Sequence, residues 1–179
     1  MKIYIVVPAY NESRYIGRFL AKLTSVTKNI VVIDDGSSDD TTKVAKKSGV
    51  KVLTHMTNLG KGSALKTGCE YVFTKLGADA VIIMDGDDQH DVTDINKFVL
   101  TLNQGSQIVL GVRTLDSRMP LTRLLGNRFT SVLINLLFGV YISDVPSGFK
   151  AMTKKAYHQL SWYSSGYEVE TEIAVRLAK

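Results

Sequence analysis

The 179-residue chain has one cysteine, three prolines, three histidines and one tryptophan. A single cysteine, Cys69, excludes an internal disulfide and suits a reducing compartment; it is expected as a small buried residue on a helix. His55, His90 and His158 show no zinc-ligand spacing with it. No run of about 18 or more apolar residues occurs, so no spanning helix is expected. The start, Met1-Lys2-Ile3-Tyr4, lacks the apolar run and small-residue cleavage site of a signal peptide. Basic blocks interleaved with aromatics are also missing, so the net charge of +5 does not read as a nucleic-acid footprint. The mild excess suits an anionic ligand or a lipid headgroup surface. Repeats, low-complexity segments and an interdomain linker are absent. What remains, 45% hydrophobic and 22% charged residues, is the balance of one soluble globular domain over residues 1–179.

Short apolar runs alternate with helical patterns over the first 112 residues. Strands are expected at Ile3 to Val7, Asn29 to Ile33, Val50 to Thr54, Ala80 to Met84 and Gln107 to Gly111. Helices are expected over Ser13 to Leu23, from a cap at Ser38 or Asp39 to about Ser48, over Ser63 to Leu76, and over Asp91 to Leu102. This alternation predicts an α/β domain with a doubly wound, mainly parallel sheet flanked by helices. Beyond residue 111, Leu121 to Val140 reads as a long apolar helix carrying Arg123 and Arg128. A break follows at Asp144-Val145-Pro146-Ser147-Gly148. Tyr167 to Lys179 reads as a helix with Glu168, Glu170 and Glu172.

In a doubly wound sheet, ligands bind beyond the carboxyl ends of the strands. Three polar clusters follow predicted strands: Pro8-Ala9-Tyr10-Asn11-Glu12, Asp34-Asp35-Gly36-Ser37 and Asp85-Gly86-Asp87. All three should meet at one edge. Asp85 and Asp87 are hard oxygen ligands suited to Mg²⁺ or Mn²⁺ on a diphosphate, or else a solvated acidic turn. Asp34-Asp35 can accept from a base N–H and ribose hydroxyls, or form an Asx turn with a cap. Tyr10 offers a stacking surface and Glu12 an acceptor, or Asn11 and Glu12 open the next helix. Asn58-Leu59-Gly60-Lys61-Gly62-Ser63 resembles a phosphate loop in composition but not in order, since Gly62 separates Lys61 from Ser63. Lys61 either contacts phosphate there or belongs to a helix-entry loop. Arg113 follows the fifth strand, where its fork can clamp a phosphate or stay solvated. Arg123 and Arg128 either reach a lipid headgroup or form an ordinary basic helix face. His90 reads as a satisfied loop histidine.

Together with Gly111-Val112-Arg113 and Asp144-Val145-Pro146-Ser147-Gly148-Phe149, these clusters occur in an order that resembles the family 2 glycosyltransferases of GT-A fold. Within that family the chain is most similar to the dolichyl-phosphate mannose synthases and glucosyltransferases. The resemblance spans residues 3 to about 177. It implies an inverting transfer of a hexose from a nucleotide-diphosphate sugar (GDP-mannose or UDP-glucose) to a polyprenyl or dolichyl phosphate, by a cytoplasmic enzyme peripheral at a membrane. By position, it implies that Pro8, Tyr10, Glu12, Ile33 and Asp35 bind the nucleoside. Asp85, Asp87 and Gln89 would hold the metal, Mg²⁺ or Mn²⁺, and Gly86 would line the donor site. Arg113 would meet a phosphate, and Arg123, Arg128 and Ser147 the acceptor phosphate. An anionic acceptor oxygen needs positioning more than a base; for a hydroxyl acceptor, Asp88 or Asp144 would serve as the base. The family continues past residue 179 into another strand and a basic segment, so a missing C-terminal segment is expected. Two other readings are a nucleotide-sugar-binding domain without catalysis and a nucleotidyltransferase on a similar sheet. The second usually has a glycine-rich basic loop after the first strand, where this chain has Pro8-Ala9-Tyr10.

Overall fold

The computed structural model describes residues 1–88, 90–112, 131–132, 135–136, 139 and 147–178. Its strands are β1 (Ile3–Ala9), β2 (Ile30–Asp34), β3 (Lys51–Thr54), β4 (Ala80–Ile83), β5 (Ile108–Leu110) and β6 (Lys150–Thr153). The helices are α1 (Ile16–Val26), α2 (Thr41–Lys47), α3 (Lys61–Thr74), α4 (Ile95–Asn103), α5 (Lys154–Leu160) and α6 (Val169–Leu177). One six-stranded sheet has the order β3-β2-β1-β4-β6-β5. β3, β2, β1 and β4 pair in parallel, and β6 runs antiparallel to both neighbours. The expected mainly parallel sheet is therefore present, with one reversed strand inserted between β4 and β5.

The period of two in the strands separates two cores. Ile5, Val7, Ile30, Val32 and Ile82 face α1, α2 and α4, meeting Phe19, Leu20, Leu23, Ala45, Phe98 and Leu102. Val6, Val31, Ile33, Val81 and Ile83 face α3, α5 and α6, meeting Leu65, Val72, Phe73, Leu160, Trp162 and Ile173. Because both faces are covered, the central strands are continuous apolar runs rather than alternating ones. Cys69 is buried on α3, and burial pushes its thiol pKa well above the ordinary value. No helix among the described residues is long and apolar enough to cross a membrane.

Sequence and structure differ mainly after residue 111. β6 and α5 were not expected, because Lys150-Ala151-Met152-Thr153-Lys154-Lys155 carries no long apolar run. Lys150 is nonetheless only 2% exposed, and β6 lies between two strands that hide it. The long helix expected over Leu121 to Val140 falls largely outside the described residues. α1 begins at Ile16, three residues later than expected, after a turn in which Tyr15 and Ile16 donate to the Glu12 carbonyl. The helix expected over Asp91 to Leu102 opens differently: the Asp91 side chain accepts from the Thr93 amide and starts a 3₁₀ turn, Val92–Asp94, before α4.

The order β3-β2-β1-β4 reverses direction between β1 and β4. That is the topological switch point of a doubly wound sheet, where a crevice opens past the strand ends. One wall is the N-terminus of α3, which packs against the backbone of Ser164 and Ser165. The Ser63 amide donates to the Ser165 carbonyl at 3.1 Å, and the Trp162 indole N–H donates to the Gly62 carbonyl at 3.2 Å. A methyl at Gly62 would collide with the Ser164 backbone. The better helix propensity of Ala is worth about 1 kcal/mol, while overpacking against backbone costs about 1–3 kcal/mol. Gly62→Ala should therefore lower the midpoint of urea unfolding; an unchanged or higher midpoint would contradict this packing.

Candidate active site

Past the switch point lies a cavity of about 480 Å³ lined by Pro8, Ala9, Tyr10, Glu12, Asp35, Asn58, Gly60, Lys61, Ala64, Asp85, Gly86, Asp87 and Tyr167. The size suits a small ligand or cofactor. The structure brings all three polar clusters that follow strands to this cavity.

The loop after β1 is lashed to the loop after β2. The Asn11 amide donates to Ser37 Oγ at 2.9 Å, and Asn11 Oδ1 accepts from the Ser38 amide at 2.9 Å. The Glu12 amide donates to Thr41 Oγ1 at 2.8 Å. Asn11 thus holds two loops together, with φ at +55°, rather than capping α1. Tyr10 is left 44% exposed on the cavity rim.

The adjacent acids Asp34 and Asp35 do different work. Asp34 makes the turn: its carboxylate accepts from the Ser37 amide at 3.0 Å and from the Thr42 hydroxyl. Asp35 reaches the cavity. Its Oδ1 lies 2.7 Å from His55 Nδ1 and accepts from the Leu59 amide at 3.0 Å, and its Oδ2 accepts from the Gly60 amide at 2.8 Å. His55 Nε2 is 3.0 Å from Thr67 Oγ1. Asp35 therefore fixes the Asn58–Lys61 loop as well as lining the cavity. Ile33 does not line it; its side chain is in the core beneath, against Gly68 of α3.

Asp85 and Asp87 follow β4, with the buried Gly86 between them. The chain at Gly148 passes so close to Asp85 that a Cβ there would collide with its carboxylate. Ser147, 4% exposed, sits beside it, and its Oγ accepts from the Phe149 amide at 3.4 Å. Lys61 Nζ lies 2.7 Å from Asp85 Oδ1 and 2.9 Å from Oδ2. Burial raises the Glu12 pKa above its ordinary 4.5, and the charges of Asp87, Asp85 and Asp39 push it the same way. Glu12, Asp85 and Asp87 thus line one cavity close enough for their charges to act on one another.

Asp88 does not line the cavity. Its side chain is 3% exposed and turned to α1, where Arg18 Nε donates at 2.8 Å and Lys22 Nζ at 2.9 and 3.1 Å. Burial alone would raise its pKa, but hydrogen bonds and charge from Lys22 and Arg18 outweigh that and hold it below the ordinary value. A carboxylate so committed is a poor base. Its place in the structure is to anchor the acidic loop to α1, with φ at +62°. Gln89, Arg113, Arg123, Arg128 and Asp144 lie outside the described residues. The ring of His90 lies 5.2 Å from that of Phe149.

The donor chemistry fits a divalent cation. No group of three or more His, Cys, Asp or Glu side chains among the described residues is placed to hold a metal. Two carboxylates completed by phosphate and water oxygens are, however, the usual setting for Mg²⁺. The ammonium bridging both oxygens of Asp85 marks the spot as one that draws positive charge.

Asn58, Tyr167, His55 and Glu170 carry no site role in the sequence reading, whereas Lys61, expected to contact phosphate or to belong to a helix-entry loop, opens α3 and lines the cavity. Glu170 leaves a signal, three and four residues before the buried Ile173 and Ala174 on the apolar face of its helix. No spacing links His55 to Asp35.

The chain matches the family model described as glycosyl transferase family 2 over residues 4–161. It is 34% identical over 182 residues to the UDP-N-acetylglucosamine–dolichyl-phosphate N-acetylglucosaminyltransferase of Methanococcus voltae, covering 89% of this chain and 72% of that one. It is 28% identical over 180 residues to the dolichyl-phosphate hexose transferase of Haloferax volcanii, covering 97% and 75%. Glucosyl-3-phosphoglycerate synthase from Mycobacterium tuberculosis, solved with Mn²⁺ and UDP-glucose, superposes with a TM-score of 0.74 at 26% identity, over 97% of this chain and 63% of that one. The chain thus spans about three quarters of those two archaeal relatives and under two thirds of the solved enzyme. These are glycosyltransferases, not nucleotidyltransferases.

Since Glu12 is harder to ionise in the folded chain than in the unfolded one, the folded state holds its proton to higher pH. Its share of stability should fall as pH rises from the ordinary 4.5 through the raised folded value. Asp87→Asn should lower the Glu12 pKa while leaving it above 4.5 because burial persists. Carboxyl carbon NMR titration checks this, and an unmoved Glu12 would show that Asp87 faces elsewhere.

Proposed function

The chain belongs to glycosyl transferase family 2 and has the GT-A fold, and from this premise we propose that it moves a hexose from a nucleotide-diphosphate sugar to a polyprenyl phosphate at a membrane face. The observation that carries the reading is the meeting of Asp35, from the loop after β2, with Asp85 and Asp87, from the loop after β4, around one cavity. The relatives' named substrates, dolichyl phosphate among them, support the acceptor, and the Mn²⁺ and UDP-glucose of the solved enzyme support the donor and the metal.

In this reading Asp35 accepts from a base N–H, and Tyr10 and Pro8 flank the nucleoside. Its partners His55, Leu59 and Gly60 hold that carboxylate still. Asp85 and Asp87, with Gln89, hold Mg²⁺ or Mn²⁺. Such an ion, when bound, offsets charge on the leaving diphosphate. Ser147 and the basic residues Arg113, Arg123 and Arg128 serve the phosphates. An acceptor phosphate oxygen forms a bond to the anomeric carbon as the bond to the diphosphate oxygen breaks, with inversion. That oxygen is already anionic at neutral pH, so the chain contributes position rather than a base. This agrees with Asp88 being committed to Arg18 and Lys22.

Thermal shift with UDP and GDP sugars plus Mn²⁺ should reveal the donor, since a ligand that prefers the native state raises stability. With that donor, transfer to polyprenyl phosphate should require Mn²⁺ or Mg²⁺. Asp87→Asn should lower it by about a hundredfold or more, the scale of losing one electrostatic contact to the transition state. Metal-dependent donor binding without transfer, from a chain extended to the relatives' length, would leave a binding domain instead.

A further inference from the structure

Lys61 is the first residue of α3, where a positive charge opposes the helix dipole. Nothing in the local sequence favours it there, as the first turn of α3 has no acidic residue. Its ammonium is instead held by two carboxylates distant in sequence: Asp85 at 2.7 Å and Glu170 Oε1 at 2.8 Å. Glu170, 5% exposed, also pairs through Oε2 with Lys150 of β6, itself 2% exposed. Four charges of alternating sign thus run from the core to the cavity: Lys150, Glu170, Lys61, Asp85. The inner pair is buried and the outer carboxylate, 25% exposed, opens on the cavity.

We propose that Lys61 is a resident cation on Asp85 that a divalent ion displaces, and that Glu170 is the anchor that retains the displaced ammonium. The proposal rests on the reading that Asp85 and Asp87 hold such an ion. Without metal, the bridging ammonium keeps the Asp85 carboxylate in place despite the negative charge of Asp87 and Glu12. A divalent ion held by Asp85 would repel the ammonium from the two oxygens it now bridges. The ammonium withdraws to Glu170, which it already touches, and Lys150 keeps Glu170 fixed by charge. Lys61 is thereby a positioning residue that sets how strongly the site takes metal before the donor arrives. Its loss should tighten metal binding, the reverse of what losing a ligand or a structural contact would do.

The test is Mn²⁺ binding without donor, read from the electron paramagnetic resonance of free Mn²⁺, for wild type, Lys61→Met, Lys61→Gln, Lys61→Arg and Asp85→Asn. Lys61→Met and Lys61→Gln should bind about tenfold more tightly, the scale of removing one close like charge from a partly solvated site. Lys61→Arg, which keeps the charge, should stay near wild type. Mn²⁺ should also raise the unfolding temperature of Lys61→Met more than that of wild type. Equal or weaker binding in both neutral variants, with binding lost in Asp85→Asn, would overturn the exchange and leave the metal reading intact. No binding by any of the proteins would overturn the exchange, since Asp85 would then take no metal before the donor; undiminished binding in Asp85→Asn would overturn both. Lys61→Gln keeps a hydrogen-bond donor and decides the matter should Lys61→Met fail to fold.

Discussion

A carboxylate taken out of water must be met by donors or by positive charge, and the architecture around the cavity follows from that requirement. Leaving one unpaired costs several kcal/mol, so each buried acid commits a neighbouring segment to a fixed position. Asp35 commits the Leu59–Gly60 amides and His55. Asp88 commits Arg18 and Lys22 of α1. Glu170 commits Lys61 of α3 and Lys150 of β6. Glu172 plays a similar part for the strip after α5: it accepts from the Tyr163 and Ser164 amides. Burial tends to raise its pKa, yet those bonds and Arg176 bring it down to about 2.

Those commitments divide adjacent acids into opposite roles. Asp34 closes a turn while Asp35 reaches the cavity. Asp87 lines the cavity while Asp88 turns to α1. The backbone explains both splits. Successive side chains at a strand end point to opposite sides, and Asp88 takes the left-handed conformation that Asp tolerates better than most residues. What faces the cavity after this sorting, among the described residues, is a set of carboxylates together with Lys61, a surface whose chemistry suits a metal and a diphosphate together.

The placement at the sheet edge was legible because it depends on local pattern. Val81-Ile82-Ile83-Met84 before Asp85-Gly86-Asp87 announces a strand and its end, and the same holds for β1 and β2. Parallel strands joined by crossovers must end on one edge, so the meeting of the three clusters was foreseeable. The described strand after residue 111 was less legible. β6 contains a lysine where a strand inside a sheet rarely carries one, and the reason, a glutamate from α6, lies twenty residues downstream. The pairing of His55 with Asp35 likewise joins residues twenty apart with no periodic relation.

The sequence alone determined the α/β alternation, the strand ends and the acids that stand there, because hydrophobic period and turn chemistry act over a few residues. Only the tertiary structure decided which acids face the cavity and which are consumed as anchors. It also decided that a lysine at a helix start would reach Asp85 and that Lys150 could be buried. Those outcomes depend on charges brought together from distant stretches of chain, and a buried charge takes the partner that the packed fold sets beside it.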